Sequence, residues 1–311
     1  MRPRRLNRPI VALAHAEQET RALEQALALL PLPELIRPED TVVITVNLVQ
    51  PRPASTAVVA SPEALRHLLR RAKSFRPRRL VVAAGSGGAP TPQVVRECGF
   101  EPVLAEEGVE LVDLNCGPYV ELELAATDPE VVPASTPVNR LYREMTVHLS
   151  LTPLKIHAEA TMTATLKNVA LSWPPAEIHG FPKTQRGIHE KLHSFIVALA
   201  RHLPVDLSLV SACPAMVGTG PAAGKPVFTG LFLAGTDPVA TDVVAARLLG
   251  FMPQAVQYLY RAIELGLGEG DLKKVELRGL PLDQAELIFS RAAYGHAFAL
   301  DQGRLQPLQA K

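Results

Sequence analysis

The chain has 311 residues, a formal net charge of +1 and 47% hydrophobic residues. This is enough apolar material for a buried core, so a disordered chain is excluded. Near-neutral charge argues against a nucleic-acid partner, whose affinity rests on a basic field.

The N-terminus, Met1-Arg-Pro-Arg-Arg5 followed by Ile10-Val-Ala-Leu-Ala14, imitates a secretory leader. Its apolar stretch is too short for the roughly 7–15 residues of an h-region. Ile10–Ala14 therefore reads as a strand, and residues 1–9, with Arg2, Arg4, Arg5 and Arg8, as a disordered, solvated basic tail. Glu17–Leu30 is helix-like. Thr41–Asn47 is a β-branched strand. Ser61-Pro-Glu63 opens a helix to Lys73 with a cap, a first-turn proline and a first-turn acid. Leu80–Ala84 is a strand, and Pro92–Cys98 a short helix closed by Gly99.

Residues 110–150 are less regular, with strand patterns at Val120–Leu124 and Glu144–Ser150. Thr161–Leu166 alternates with period two on β-branched Thr and predicts a strand running into Lys167 and Asn168. Residues 172–187 form a proline-rich loop before a helix from Ile188 to His202. Leu207–Ser211 and Val227–Ala234 are apolar strands. Asp237-Pro238 starts a helix ending near Gly250. Gln254–Leu265 is helical, and Lys274–Arg278 is a last strand.

The alternation predicts an α/β fold: mainly parallel or mixed sheets flanked by helices, in two intimate lobes. The N-terminal lobe is 10–125, the connection 126–150, the second lobe 151–280 and the C-terminal segment 281–311. The longest apolar region, Val227–Phe251, is broken by Asp237, Asp242 and Arg247, so no transmembrane helix and no membrane partner are expected. The three cysteines, Cys98, Cys116 and Cys213, lack a C-x-x-C and fit a reducing cytoplasm.

In open α/β sheets ligands gather beyond the carboxyl ends of strands. The polar residues expected there are Asn47, Gly85–Gly88, Ser211 and Asp237. For Asp237 the plain reading is a helix cap. For the glycines it is a tight turn.

Lys155 and His157 lie two apart, on one face of an extended backbone. Lys167 and Asn168 follow ten residues on. Lysines in an apolar neighbourhood imply an anionic ligand, a carboxylate partner or an amine of lowered pKa acting as base or nucleophile. The alternative is that their heads snorkel to water.

Two motifs are decoys. His189-Glu-Lys-Leu-His193 fits H-E-x-x-H, but it contains a cation and no third ligand follows at the recognised spacing. His189 could still serve a site with His157. Gly218-Thr-Gly-Pro-Ala-Ala-Gly-Lys225 fails the phosphate-loop spacing, and Pro226 removes a donor. A glycine-rich loop lining a pocket is the better reading, with Gly218, Gly220 and Gly224 near a ligand.

In order, Val-Asn47, Ser-Pro62, Lys-Ile-His157, Thr-Leu-Lys-Asn168, His189, Gly-Thr-Gly-Pro-Ala-Ala-Gly224 and Ala-Gly-Thr-Asp-Pro-Val-Ala-Thr-Asp242 resemble the family called domain of unknown function 362. The resemblance spans residues 10–280. Many relatives carry ferredoxin-like iron–sulfur segments. Three cysteines cannot supply a four-cysteine cluster, so no cluster is expected here. The cofactor is otherwise open, with room for a divalent metal at Asp242. Thr45, Ser211 and Val169-Ala170 depart from the family pattern. The layout is also loosely similar to that of nickel-pincer lactate racemases, which use a lysine and histidines between two α/β lobes.

The resulting expectation is a cytoplasmic enzyme on a small anionic metabolite. Lys155, Lys167, His157 and His189 would carry isomerase- or racemase-like proton transfer. Asn47, Asn168, Gly218, Gly220, Gly224 and Asp237 would contact the ligand. The alternative is a non-catalytic redox accessory or cofactor-binding protein. Composition supports the lysines: Arg outnumbers Lys 23 to 9, so a retained Lys marks a place where an ammonium differs from a guanidinium.

Overall fold

The computed structural model describes residues 2–301 and 304–307; the rest of the C-terminal segment, and Met1, lie outside the described residues. In chain order the first half forms β1 (Ile10–His15), α1 (Glu19–Ala28), α2 (Leu32–Leu35), β2 (Thr41–Val46), α3 (Pro62–Lys73), β3 (Arg79–Ala84), α4 (Thr91–Glu97), α5 (Phe100–Glu107), β4 (Glu110–Asp113), β5 (Tyr119–Glu123), β6 (Ser135–Asn139) and α6 (Leu141–Glu144). The second half forms β7 (Val147–His157), β8 (Thr161–Thr163), α7 (Thr165–Ser172), α8 (Ala176–His179), α9 (Leu192–His202), β9 (Leu207–Val217), β10 (Lys225–Val227), β11 (Leu231–Gly235), α10 (Pro238–Leu248), α11 (Gln257–Glu264), β12 (Glu276–Gly279), α12 (Leu282–Tyr294), β13 (Phe298–Asp301) and β14 (Arg304–Pro307).

One ten-stranded sheet carries the molecule, in the order β12-β1-β11-β9-β7-β2-β3-β4, with β8 pairing β7 and β10 pairing β9. β4, β3, β2, β7 and β9 run parallel. β11 is reversed between β9 and β1. The fold is therefore α/β with a mixed, mostly parallel sheet.

Both halves of the chain contribute strands to this sheet, and their helices pack on its opposite faces. Val42, Ile44 and Val46 point to a core with α1, α3, α4 and α5. Val43 points to the core containing α7, α9, α10 and α11. Both faces are covered by helices, so β2 is buried at every position. The start of α3 follows the sequence: the Ala64 N–H donates to Ser61 Oγ at 3.2 Å, with Pro62 in the first turn.

Two local expectations change. The strand predicted through Leu166 stops at Thr163, and Lys167 and Asn168 sit on α7. The cause is tertiary. The Asp242 carboxylate, 77 residues away from Thr165, accepts the Thr165 N–H at 2.8 Å and the Leu166 N–H at 3.0 Å. A remote acid thus caps a helix that local propensity disfavours.

The N-terminal tail is also corrected. Arg2 pairs with Asp206 at 2.7 Å, Arg4 with Asp237 at 2.7 Å and Arg5 with Asp40 at 2.5 Å. All three carboxylates are buried, and each would be left unpaired without its arginine. Deleting residues 2–8 is expected to cost about 2 kcal/mol in a denaturant titration. An unchanged midpoint would mean that these pairs hold nothing.

Among the described residues no helix is long and apolar enough to cross a membrane.

Candidate functional site

β2 and β3 end at one edge of the sheet, and β7 extends beyond them by the residues that carry Lys155 and His157. α7 packs over this edge, and the loop after α8 closes it. The result is a cleft of about 240 Å³, lined among others by Asn47, Lys155, His157, Lys167, Asn168 and His189. All four predicted catalytic residues and both predicted asparagines therefore meet. The cleft opens at the carboxyl ends of parallel strands, where free backbone groups converge.

A third lysine joins them. Lys183 lines the cleft from the proline-rich loop, and sequence reasoning missed it. Lys155, Lys167 and Lys183 are 0%, 8% and 3% exposed. The lining holds no aspartate or glutamate. Among the described residues none of the three lysines has a carboxylate within salt-bridge distance.

Their amines differ in occupancy. Lys155 Nζ donates to Asn47 Oδ1 at 2.9 Å and to the Val58 carbonyl at 2.6 Å. Lys183 Nζ donates to the carbonyls of Gly85, Leu171 and Ser172 at 2.9, 3.0 and 3.3 Å. An ammonium has three protons, so Lys183 has none left for a ligand. Lys167 Nζ has no hydrogen-bond partner among the described residues.

Burial pushes Lys155 well below its ordinary value, and the neighbouring Lys167 charge adds to this. It pushes Lys167 down to about 8 against the pull of Glu159. It pushes Lys183 down to about 7, opposed by Asp113. The shared cause is desolvation of a cation.

The two histidines also differ. His157 Nδ1 accepts the N–H groups of Glu159 and Ala160 at 3.1 and 3.2 Å. The proton of its neutral ring is then on Nε2. Burial, reinforced by Lys167 and Lys155, lowers its pKa to about 2, so the ring stays neutral. This arrangement leaves His157 Nε2–H free to donate a hydrogen bond into the cleft. His189 Nδ1 lies 2.6 Å from a Glu159 carboxylate oxygen. With Nδ1–H on that carboxylate, Nε2 is left as the basic atom. Glu159 is a second residue the sequence reading missed, though it stands only two after His157.

The two asparagines hold each other and Lys155 in place. Asn47 Nδ2 donates to Asn168 Oδ1 at 3.0 Å, and Asn168 Nδ2 donates to Ser150 Oγ at 2.9 Å. Their amides tie β2, α7 and Lys155 into one network.

Several predicted ligand contacts lie elsewhere. Asp237 follows β11, and because β11 is reversed its end faces away from the cleft. Asp237 caps α10, accepting from Val239 and Ala240 at 2.9 and 3.0 Å. Asp242 holds α7 with both oxygens and does not line the cleft. Burial raises its pKa to about 7. Among the described residues no three His, Cys, Asp or Glu groups converge as a metal site would need. Ser211 lies inside β9 and donates to Glu19.

Gly218, Gly220 and Gly224 do not line the cleft either, but Pro221 and Ala222 between them do. A Cβ on Gly220 would stand 2.1 Å from the Ile156 carbonyl, so this glycine lets the loop lie against β7. Gly220→Ala is expected to lower the melting temperature and to open the cleft wall. Unchanged stability, read by thermal unfolding, would contradict that packing role.

The H-E-x-x-H spacing is not realised on a helix, because α9 starts at Leu192. His193 stacks on Tyr258 with ring centroids 6.1 Å apart, while His189 turns to the cleft.

The profile of the family described as Domain of unknown function (DUF362) matches residues 42–247. The chain belongs to the DUF362 family. The match spans β2 to α10 and so includes every lysine and histidine of the cleft. A thylakoid-associated protein of Synechocystis is 28% identical over 178 residues, covering 56% of this DUF362 chain. The match spans about half of that relative, 52% of its length. Among solved structures, the lactate racemase apoprotein of Thermoanaerobacterium thermosaccharolyticum superposes with a TM-score of 0.45 at 14% identity. That comparison covers 78% of this chain and 58% of the other.

Proposed function

We propose that the cleft binds a small carboxylate metabolite and moves a proton at the carbon beside its carbonyl group. The observation that carries this is three buried lysines around one cleft with no carboxylate in its lining. An unpaired buried ammonium costs several kcal/mol, and an anion entering the cleft removes that cost.

Lys155 and Lys183 are fixed in place by asparagine and by backbone carbonyls, and an entering anion favours their protonated forms. Lys167 is the free hand that meets the ligand. His157 Nε2–H points its proton at a carbonyl oxygen and stabilises negative charge developing there, as a neutral imidazole can. His189 Nε2 takes the proton, and Glu159 stabilises the imidazolium that forms. Returning the proton to either face of the carbon gives an isomerase- or racemase-like outcome. The apolar wall, with Leu48, Leu171 and Pro182, keeps water from competing for the carbanion.

The test has two parts. Small carboxylates such as pyruvate or lactate should raise the melting temperature, and their neutral amides should not. Lys167→Met should weaken binding at least about tenfold, the worth of one charge-assisted hydrogen bond. Incubation in D₂O should then place deuterium on the carbon beside the carbonyl, and His189→Gln should abolish this exchange. Equal stabilisation by carboxylate and amide would overturn the reading.

A further inference from the structure

The three lysines divide by what their amines already do. Lys155 has two acceptors and Lys183 has three, so neither nitrogen can turn a lone pair on a ligand without breaking those bonds. Lys167 has no acceptor among the described residues and lies on the cleft wall, 8% exposed. α7 is fixed at its start by Asp242 and, one residue past Lys167, by the Asn168 bonds to Asn47 and Ser150. Among the described residues, the charged and titratable groups around Lys167 are Lys155, His157, Glu159 and, in the same cleft lining, His189. Here is an amine on a rigid support, with no hydrogen-bond acceptor of its own among the described residues, beside a neutral imidazole donor and a histidine–carboxylate pair.

We infer that Lys167 is a nucleophile, forming an imine with the ketone of a small 2-oxo acid bound in this cleft. This rests on the anion-binding reading above and gives it a substrate class. The carboxylate of the acid would lie in the field of Lys155 and Lys183. The ketone oxygen would take the His157 Nε2–H.

The step balances. The Lys167 nitrogen lone pair forms a C–N bond to the ketone carbon, and the carbonyl π pair moves to oxygen. His189 Nε2 relays the two amine protons, one after the other, from nitrogen to that oxygen. The C–O bond then breaks, water leaves, and a C=N bond remains. His189 ends as it began, and no oxidant or reductant enters. The imine withdraws electrons from the neighbouring carbon, which is the carbon whose proton the cleft is built to move. Burial also leaves much of the Lys167 amine neutral at a pH near 8, as nucleophilic attack needs.

The experiment is borohydride trapping. Full-length protein is incubated with pyruvate, 2-oxobutyrate or 2-oxoglutarate at a pH above about 8, reduced, digested and read by mass spectrometry. The expected result is a secondary amine at Lys167, heavier by the oxo acid less one oxygen atom. Lys167→Arg should lose the adduct while a melting shift with the same acid persists, because the positive charge remains. An adduct confined to surface lysines, or none at all, in protein whose melting temperature rises with the acid, overturns the imine and leaves the anion site standing. Absence of both adduct and melting shift overturns the imine and the anion site together.

Discussion

The ligand-free protein is expected to become more stable as pH rises from about 7 to about 9. Lys183 is held down to about 7 and Lys167 to about 8, against an ordinary value of 10.5 in the unfolded chain. Below about 7 both are protonated in either state, and the folded state bears the full cost of two desolvated ammonium groups. As pH rises through the folded values, the folded state gives up protons that the unfolded state keeps. Stability therefore climbs with pH until the unfolded lysines also titrate. A tenfold difference in proton affinity is worth about 1.4 kcal/mol, so the summed effect reaches several kcal/mol.

Three groups act in other windows. Asp242 and Glu286 are raised to about 7, and they make stability fall as pH rises towards 7. Cys116, raised from 9.0 to about 11, opposes the lysines above 9. Denaturant titrations from pH 7 to 9 should show the rise in the wild type. Lys183→Met should reduce it to the share that Lys167 supplies, and saturating pyruvate should flatten it. A flat or falling wild-type curve over that range would sink the claim that these lysines are buried without anionic partners.

Trp173→Ala should cost about 3–5 kcal/mol. Trp173 is fully buried at the end of α7. Its indole N–H donates to Thr45 Oγ1 at 3.2 Å, and Thr45 Oγ1 also meets His148 Nε2 at 2.8 Å. The indole packs edge-on to His148 with centroids 5.8 Å apart. His148, pushed down to about 3 by burial, stays neutral and can share this bond network. Trp173→Phe keeps most of the volume but leaves Thr45 without that donor, so it should cost only about 1 kcal/mol. Circular dichroism during unfolding reads both variants, since Trp173 is the chain's single tryptophan. Equal losses in the two variants would place the energy in the hydrogen bond rather than in the packing.

Much of this was legible in the residues themselves. The β-branched run at Thr41 and the Ser61-Pro62 start each depend on neighbours within a turn, and both formed where expected. The Lys155–His157 spacing likewise put both side chains on one strand edge of the cleft. What escaped depends on distant partners. Lys167 was placed on a strand because the acid that caps its helix stands 77 residues from Thr165. Lys183 was missed because its three acceptors are backbone carbonyls from two other segments, which no side-chain pattern announces. The one clue was its survival as a lysine in an arginine-rich chain. The place of Asp237 away from the rim is hidden in the sequence because a strand's direction cannot be read from its apolar run. The reversal of β11 decides it.

The order of the sheet also bears on how the chain behaves in a crowded solution. The two outer strands of its main path, β12 and β4, have four residues each. β12 carries Glu276 and Arg278 and ends at Gly279, while β4 begins with Glu110 and ends with Asp113. Arg79 on the next strand is bonded to Glu110 and anchors that rim with charge. A foreign strand adding at either rim would find few free backbone groups and would have to bury formal charges. The two longest strands, β7 and β9, whose exposed backbone would template aggregation, are almost wholly buried and are held at the centre with partners on both sides. The strand order that sets the cleft at the carboxyl ends of inner strands thus also guards the protein against edge-to-edge polymerisation.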